Sequence, residues 1–190
     1  MSDFDTCLAF TLAEEGGYQC LANDPGNWTG GHLGVGELIG TCRGISAPVL
    51  AAWMSPAERP ALSPRLMAAL PQALAATIYG SQFWLPCGGP SLPPGVDLMV
   101  FDHAVNCGVR ASVRLLQAAV VVEPDGYCGP HTLAAVQTEA PGGLIDQLGL
   151  RQTAAYQLTA HADKFLTGWL ARLQRRQAAA QTRACSTVCW

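Results

Sequence analysis

The residues of this sequence that are best placed to do chemistry are two acids near its start, Glu15 and Asp24. Cleavage of a glycosidic bond needs one carboxylic acid to protonate the leaving oxygen. It also needs a second carboxylate that activates water, attacks the sugar or stabilises the positive charge of the transition state. Spacing alone does not establish this chemistry, because acids at such a separation also serve as helix caps and turn residues. The surrounding elements must decide between the two interpretations.

The chain before Glu15 predicts a helix that ends beside this acid. The pair Gly16-Gly17 is a typical helix stop, so Glu15 falls on the last helical turn. The negative end of the helix dipole disfavours an ionised carboxylate there, which suits a general acid. The helix itself is indicated by a stripe at helical spacing that consists of Phe4, Cys7, Leu8, Thr11 and Leu12.

Asp24 opens a glycine-rich segment, DPGNWTGGHLGVGELIGTCRGI over residues 24–45. The segment has no sustained helical or strand periodicity, so we expect loops with a short hairpin. Trp28 is favoured as a residue that stacks on sugars, because an aromatic ring on a polar loop is hard to bury. Tyr18 either lines the same cleft or packs in the core. Glu37 is a spare acid that becomes the second carboxylate if Asp24 is structural.

The rest of the chain predicts a mainly α protein with two helical lobes. Short helices begin at Ser46 and Ser63, and Pro71 divides the second of them. The Gly/Pro-rich stretch 85–95 is the expected internal boundary. Further helices are predicted over 96–122 with a possible break near Gly108, from Pro130, and over 144–177. The predicted divisions are a catalytic lobe over 1–92, a helical lobe over 96–177, and a basic, cysteine-containing tail over 178–190.

Several conspicuous side chains receive structural interpretations. Tyr79, Phe83 and Trp84 fall at helical spacing and are predicted to lie in the core. His103 and His131 are predicted to be hydrogen-bonded structural residues, because neither has a sequence partner that indicates a triad. Asp102 and Asn106, one helical turn apart, are also predicted to be structural.

Composition excludes several classes of protein. The net charge is −3, and no basic-aromatic pattern indicates nucleic-acid binding. No apolar run is long enough to cross a membrane, and the acidic start does not resemble a secretory signal. The eight cysteines include no CxxC pair, so we expect no metal site, although Cys185 and Cys189 share a helical face and can bridge in an oxidising compartment. The basic residues after Asp163 predict a solvated helix face or weak attraction to an anionic polymer or membrane surface.

The sequence motifs around the two acids resemble those of glycoside hydrolase family 108, the N-acetylmuramidases often found as phage lysins. EEGGY, NDPG, GVGELIGT and GIS follow one another in the order of that family, and IYGSQFW is similar to a later family segment. FDHAVNCGVRASVRLLQ, DGYCGPHTLAAV and FLTGWLARL resemble the predicted peptidoglycan-binding domain that accompanies it. The similarity covers nearly the whole chain and implies a lysozyme-like fold.

The resemblance assigns the catalytic Glu of the family to Glu15 and its Asp to Asp24. A threonine of the family falls on Thr41 or Thr29, because the loop of this chain is longer; Thr41, which directly precedes CRGIS, is favoured. Tyr18, Trp28 and Thr29 are the expected substrate-binding residues.

The expected function is therefore hydrolysis of the β-1,4 bond between N-acetylmuramic acid and N-acetylglucosamine by a phage-type endolysin. No metal or organic cofactor is implied, the expected partner is the glycan strand, and the expected state is a monomer. We expect a protein made in the cytoplasm without a signal peptide that reaches the cell wall by another route. The alternatives are a non-catalytic peptidoglycan-binding protein and a muramidase toxin delivered by a secretion system.

Overall fold

The computed structural model describes residues 3–159 and 162–186, and most of these residues are helical, as the sequence predicts. Its contacts divide the chain into a first unit, residues 11–79, and a second unit, residues 3–10 and 80–186. The predicted boundary at 85–95 lies inside the second unit, and the predicted lobes stay a prediction. The α-helices are α1 Asp3–Glu14, α2 Ala47–Trp53, α3 Pro64–Ala68, α4 Gln72–Tyr79, α5 Val96–Cys107, α6 Val109–Ala119, α7 Pro130–Gln137, α8 Pro141–Gln157 and α9 Ala162–Ser186.

The first unit is organised by local signals that the sequence carries. Ser63 caps α3 by accepting a hydrogen bond from the Leu66 amide at 3.2 Å, and Pro64 occupies the first helical position. Pro71 separates α3 from α4, as predicted. The predicted short hairpin is present in the glycine-rich segment as three isolated antiparallel bridges, Gln19 with Thr41, Trp28 with Leu38, and Cys42 with Ile45.

The second unit is built around α5. Every residue of α5 from Val96 to Ala104 is buried, and α6, α8 and α9 pack against this helix. Three rings, Phe4, Trp84 and Phe101, form an aromatic cluster with centroid separations of 5.4 to 6.0 Å. The core prediction is therefore confirmed for Trp84, whereas Phe83 is only half-buried. The predicted break at Gly108 separates α5 from α6, and φ there is +90°.

The single helix predicted over 144–177 is wrong, because the structure has two helices there. α8 begins at Pro141 and ends at Gln157, and α9 runs from Ala162 to Ser186. The end of α8 tightens into i→i−3 hydrogen bonds, from Leu158 to Ala155 and from Thr159 to Tyr156. Neither a glycine nor a proline marks the end of α8. The helical pattern of the sequence therefore continues past it, and the sequence predicts one helix where the structure has two.

Arginines of α9 satisfy two buried acids of α5. Arg172 binds Asp102 through two nitrogens at 2.7 and 3.1 Å, and Arg176 binds the same carboxylate at 2.7 Å. Arg183 binds Asp97 at 2.6 Å. The prediction of a solvated basic face is thus wrong for these three arginines, whose charges are directed inward. Burial alone would raise the pKa of Asp102, but the Arg172 hydrogen bonds and the Arg176 charge outweigh it and lower the pKa.

Several polar residues in the second half of the chain have structural roles. The Gln117 amide donates to Asp125 at 2.7 Å and to Thr132 at 3.0 Å, and it accepts from the Gly126 amide at 2.8 Å. These contacts fasten the turn before α7 to α6. Cys185 is an exposed thiol on α9, and Cys189, its predicted bridging partner, lies outside the described residues. None of the helices in the described ranges has the length and apolarity that a membrane crossing requires.

His103 is a buried base beside this charged network. Its side chain is 2 % exposed, its Nδ1 atom has no hydrogen-bond partner among the described residues, and its ring lies 5.8 Å from that of Tyr156. Burial, assisted by the Arg176 charge, lowers the pKa of His103 to about 3. The histidine is therefore neutral in the folded protein at pH 7.

This burial predicts a pH-dependent stability. Between pH 6.5, the ordinary pKa, and about 3, the unfolded state binds the proton and the folded state does not, so stability falls as pH falls. We expect the free energy of unfolding to drop by about 2 kcal/mol more between pH 7 and pH 5 in the wild type than in His103→Phe. Denaturant unfolding followed by circular dichroism measures this difference. His131→Gln, which changes an exposed histidine, is the control, and equal pH dependence in wild type and His103→Phe would contradict the prediction.

Candidate active site

Glu15 lies directly after the last residue of α1. Its backbone amide donates to the Thr11 carbonyl at 3.0 Å and so closes the final turn, which places the half-buried side chain at the carboxyl end of the helix. The side chain lines a cleft of about 360 Å³. Its other lining residues all belong to the first unit, and they are Gly16, Gly17, Tyr18, Gln19, Thr41 and Gly44.

The wall of this cleft beside Glu15 is a tight turn, Cys42–Ile45. The amides and carbonyls of Cys42 and Ile45 exchange hydrogen bonds of 3.1 and 2.8 Å, and the two central residues, Arg43 and Gly44, have φ of +51° and +73°. Positive φ at both central positions is the requirement of a type I′ hairpin turn. A Cβ at Gly44 would lie 3.0 Å from Glu15 Oε2 and would overlap the Tyr79 hydroxyl. The glycine therefore allows the carboxylate to lie directly against the backbone.

Tyr79 is hydrogen-bonded to this turn from the core of the first unit. Its side chain is 1 % exposed, as the core prediction requires, and its hydroxyl donates to the Arg43 carbonyl at 2.9 Å. A polar group on a buried ring thus reaches the same turn as the Glu15 carboxylate. Sequence reasoning missed this role, although the signal was present in IYGSQFW, where Tyr79 is the residue matched to the family segment.

Thr41 lies in the same cleft. Its backbone pairs with Gln19 through hydrogen bonds of 2.9 and 2.8 Å, and its hydroxyl donates to the Gly26 carbonyl at 3.3 Å. The residue thereby joins the strand-like segment next to Glu15 to the loop that carries Asp24. Thr29 lies elsewhere, because it lines a separate cavity together with Glu37.

Asp24 caps the short 3₁₀ turn Pro25–Asn27. Its Oδ1 atom accepts the Gly26 amide at 2.8 Å, and the side chain is half-buried. Asp24 is not among the residues that line the Glu15 cleft. Asn27 is buried, and its carbonyl accepts the amides of both Ile39 and Gly40 at 3.0 Å.

The two aromatic candidates have different surroundings. Tyr18 lines the Glu15 cleft, and its hydroxyl donates to the Ile39 carbonyl at 3.3 Å. A hydrogen bond with Cys20, together with burial, raises the pKa of Tyr18 to about 12, so the hydroxyl is neutral at pH 7. Trp28 is half-buried, and its indole nitrogen donates to the Ala22 carbonyl at 3.0 Å.

Candidate metal ligands do not gather in the part of the chain that the structure describes. No group of three or more His, Cys, Asp or Glu side chains there is arranged so that it could hold a metal ion. Cys128 and His131, the nearest approach to a ligand pair in the sequence, have no further ligand beside them in these ranges. The functional groups that line the Glu15 cleft are thus a carboxylate, hydroxyls and backbone groups.

Comparisons with known proteins identify the family of the chain. The family model "Glycosyl hydrolase 108" matches residues 8–108, and the model "Predicted Peptidoglycan domain" matches residues 111–174. Among solved structures, that of SagA from Brucella abortus has a TM-score of 0.75 and 30% sequence identity, over 95% of this chain and 95% of SagA. None of the curated proteins matches the chain. Since the first family model spans over half of the sequence, the chain belongs to glycosyl hydrolase family 108 and is a glycoside hydrolase that acts on peptidoglycan.

Proposed function

We propose that this hydrolase is an N-acetylmuramidase that cleaves the β-1,4 bond between N-acetylmuramic acid and N-acetylglucosamine. The observation that carries the proposal is the Glu15 carboxylate, which lies in a cleft against the backbone of Gly44. Family membership supplies the glycosidase chemistry, and the peptidoglycan domain supplies the class of polymer.

Glu15 is the proposed general acid. Its half-buried side chain lies at the carboxyl end of α1 and lines the cleft. A protonated Glu15 gives its proton to the glycosidic oxygen as the bond to the anomeric carbon breaks, and positive charge develops on the sugar ring. The turn at Gly44 fixes where the acid lies relative to a sugar in the cleft.

Asp24 is the proposed second carboxylate. The Gly26 amide stabilises the negative charge of Asp24 by donating to Oδ1, and Oδ2 makes no hydrogen bond within the described residues. This oxygen is suited to orienting water or facing the positive charge of the transition state. Glu37 is the weaker candidate for this role, since it does not line the Glu15 cleft.

Thr41, rather than Thr29, is the proposed threonine of the site. Its position in the Glu15 cleft supports that choice, as does its hydrogen bond to the loop of Asp24. Tyr18 is the proposed sugar contact of the cleft, and Trp28 and Thr29 are more peripheral substrate contacts.

We also propose the biological role of the enzyme. Its resemblance to phage lysins favours a bacteriolytic endolysin that works as a monomer on the cell wall. The neighbouring genes distinguish the two biological roles: a holin gene would support the endolysin, and a gene for an immunity protein would support the delivered toxin. The second unit, which contains nearly all of the matched peptidoglycan domain, is proposed to hold the glycan or its peptide stems.

Replacement of Glu15 tests the general acid. In Glu15→Gln the side chain keeps its size but has no acidic proton, so we expect release of muropeptides from purified peptidoglycan to fall about a thousandfold. Mass spectrometry after borohydride reduction identifies the new sugar end, and reduced N-acetylmuramic acid is expected from the wild type. Glu14→Gln, which changes the preceding acid, is the matched control and is expected to stay active. Intact glycan with the wild type would instead favour a non-catalytic binding protein.

Gly44→Ala tests the close approach of the turn and the carboxylate. The methyl group must both adopt positive φ and displace Tyr79 or Glu15, so we expect a loss of about 2 kcal/mol in stability and a loss of most activity. Tyr79→Phe, which removes the hydroxyl that donates to Arg43, is expected to cost about 1 kcal/mol. Thermal unfolding and turnover are measured together. Gly143→Ala, at an α8 position with open space, is the control, and an equally small effect of both glycine changes would refute the packing argument.

The choice between the threonines is tested by two alanine substitutions. We expect Thr41→Ala to lower kcat about tenfold or more, because it removes a hydroxyl from the Glu15 cleft. We expect Thr29→Ala to leave kcat within about twofold of the wild-type value, because the Thr29 hydroxyl accepts a hydrogen bond from the Glu37 amide and does not line the Glu15 cleft. Turnover on purified peptidoglycan measures both values, and the reverse order would assign the role to Thr29.

A further inference from the structure

A second cavity of the first unit contains two opposite charges that the proposed chemistry does not use. It has a volume of about 500 Å³ and lies between the glycine-rich segment and α2, and it shares no lining residue with the Glu15 cleft. Glu37 and Arg59 both line it. Within the described residues neither side chain forms an ion pair, so each charge is available to a ligand.

The local structure fixes the position of both charges. The Glu37 backbone is held on both sides by Thr29, whose hydroxyl accepts the Glu37 amide at 2.9 Å and whose amide donates to the Glu37 carbonyl at 2.9 Å. The guanidinium of Arg59 is anchored through Nε, which donates to the Ala51 carbonyl at 3.0 Å. The two terminal nitrogens of Arg59 remain for a ligand, in the fork that carboxylates bind.

The hairpin that presents Glu37 is too tightly packed to collapse into the cavity. A Cβ at Gly30 would lie 2.5 Å from Val35 Cγ1, and one at Gly36 would overlap the Thr29 hydroxyl. Glycine at these positions therefore lets the two arms of the hairpin lie in direct contact. Between the two charges the wall is apolar and built of small side chains, namely Val35, Pro48, Ala51, Ala52 and Leu62.

We propose that this cavity binds the peptide stem of peptidoglycan, in addition to the glycan that occupies the Glu15 cleft. A stem peptide offers carboxylates for Arg59, the amino group of its diamino acid for Glu37, and alanine methyl groups for the apolar wall. The cavity volume is within the range of small-ligand sites. This inference rests on the proposed function, since it names the part of the substrate that lies beyond the sugars.

The distance along the chain fits such a bipartite substrate. Thr41 of the cleft is the fourth residue after Glu37, so their Cα atoms lie within about 14 Å of each other. A stem of four residues, attached to the lactyl group of a muramic acid in the cleft, has about the same reach. A single muropeptide is therefore long enough to occupy both sites.

The test compares two substrates, intact peptidoglycan and the same glycan after an amidase has removed its peptide stems. For the wild type we expect a lower KM on the peptide-bearing glycan. Arg59→Gln is expected to raise that KM about three- to tenfold while leaving kcat and the KM on stripped glycan unchanged, and Glu37→Gln is expected to raise the KM on peptide-bearing glycan by a similar factor. Glu139→Gln and Arg65→Gln, at exposed positions outside both sites, are the matched controls. Circular dichroism and the melting temperature verify that every variant is folded.

A binding experiment separates this proposal from the proposed catalysis. The free stem tetrapeptide is titrated into isotopically labelled wild-type protein, and the amide signals of Val35 and Gly36 are expected to shift, but not in Arg59→Gln. Equal KM values on the two glycans, with no shift of these signals, would overturn the cavity proposal and leave the muramidase intact. Binding of the tetrapeptide without cleavage of either glycan would refute the muramidase and leave the cavity proposal standing.

Discussion

The proposed active site depends on the close approach of the Gly44 backbone to the Glu15 carboxylate. The turn Cys42–Ile45 has positive φ at both central residues, and its glycine lies where any Cβ would meet Glu15 and Tyr79. The acid is held at a helix end by α1, whereas its surroundings come from a segment some thirty residues later. The position of the proposed general acid therefore depends on a hairpin turn, a helix end and a buried tyrosine at once.

The strain of this arrangement is localised. Arg43 adopts φ of +51°, a conformation that a non-glycine residue adopts at a cost of order 1 kcal/mol. The hydrogen bond from Tyr79 to the Arg43 carbonyl offsets part of that cost and keeps the turn in one conformation. Strained backbone is often found beside catalytic groups, since a rigid site requires no rearrangement when the substrate binds.

The second unit shows a different use of charge. Asp102 and Arg176 are both fully buried, and the carboxylate is satisfied by two guanidinium groups, while Arg176 also donates to Gln152 at 2.6 Å. Such a network contributes little net stability over apolar packing, but removing one partner is costly, because it leaves the other charge buried alone. The network therefore specifies how α9 packs on α5 and α8. It also places a neutral histidine, His103, in a position where protonation opposes folding.

The sequence by itself determined the local features of this protein. The stripe of α1, the Gly16-Gly17 stop, the Ser63 cap and the Pro71 break are short-range signals, and the structure confirms each of them. The sequence motifs around Glu15 and Asp24 indicated the family without any tertiary contact, because they consist of particular residue types in a fixed order. The same reasoning named Thr41 and Thr29 as alternatives and favoured Thr41, because it directly precedes CRGIS.

Only the tertiary structure decided which distant residues share a surface. Hydrogen bonding across the chain placed Thr41 in the Glu15 cleft and Thr29 beside Glu37, and it gave the hydroxyl of a core tyrosine a role at the turn. The inward direction of Arg172, Arg176 and Arg183 was equally hidden, since a periodic run of arginines looks the same whether it faces solvent or a buried acid. The division of the last helical stretch into α8 and α9 also lacked a sequence signal, because no glycine or proline stands where α8 ends.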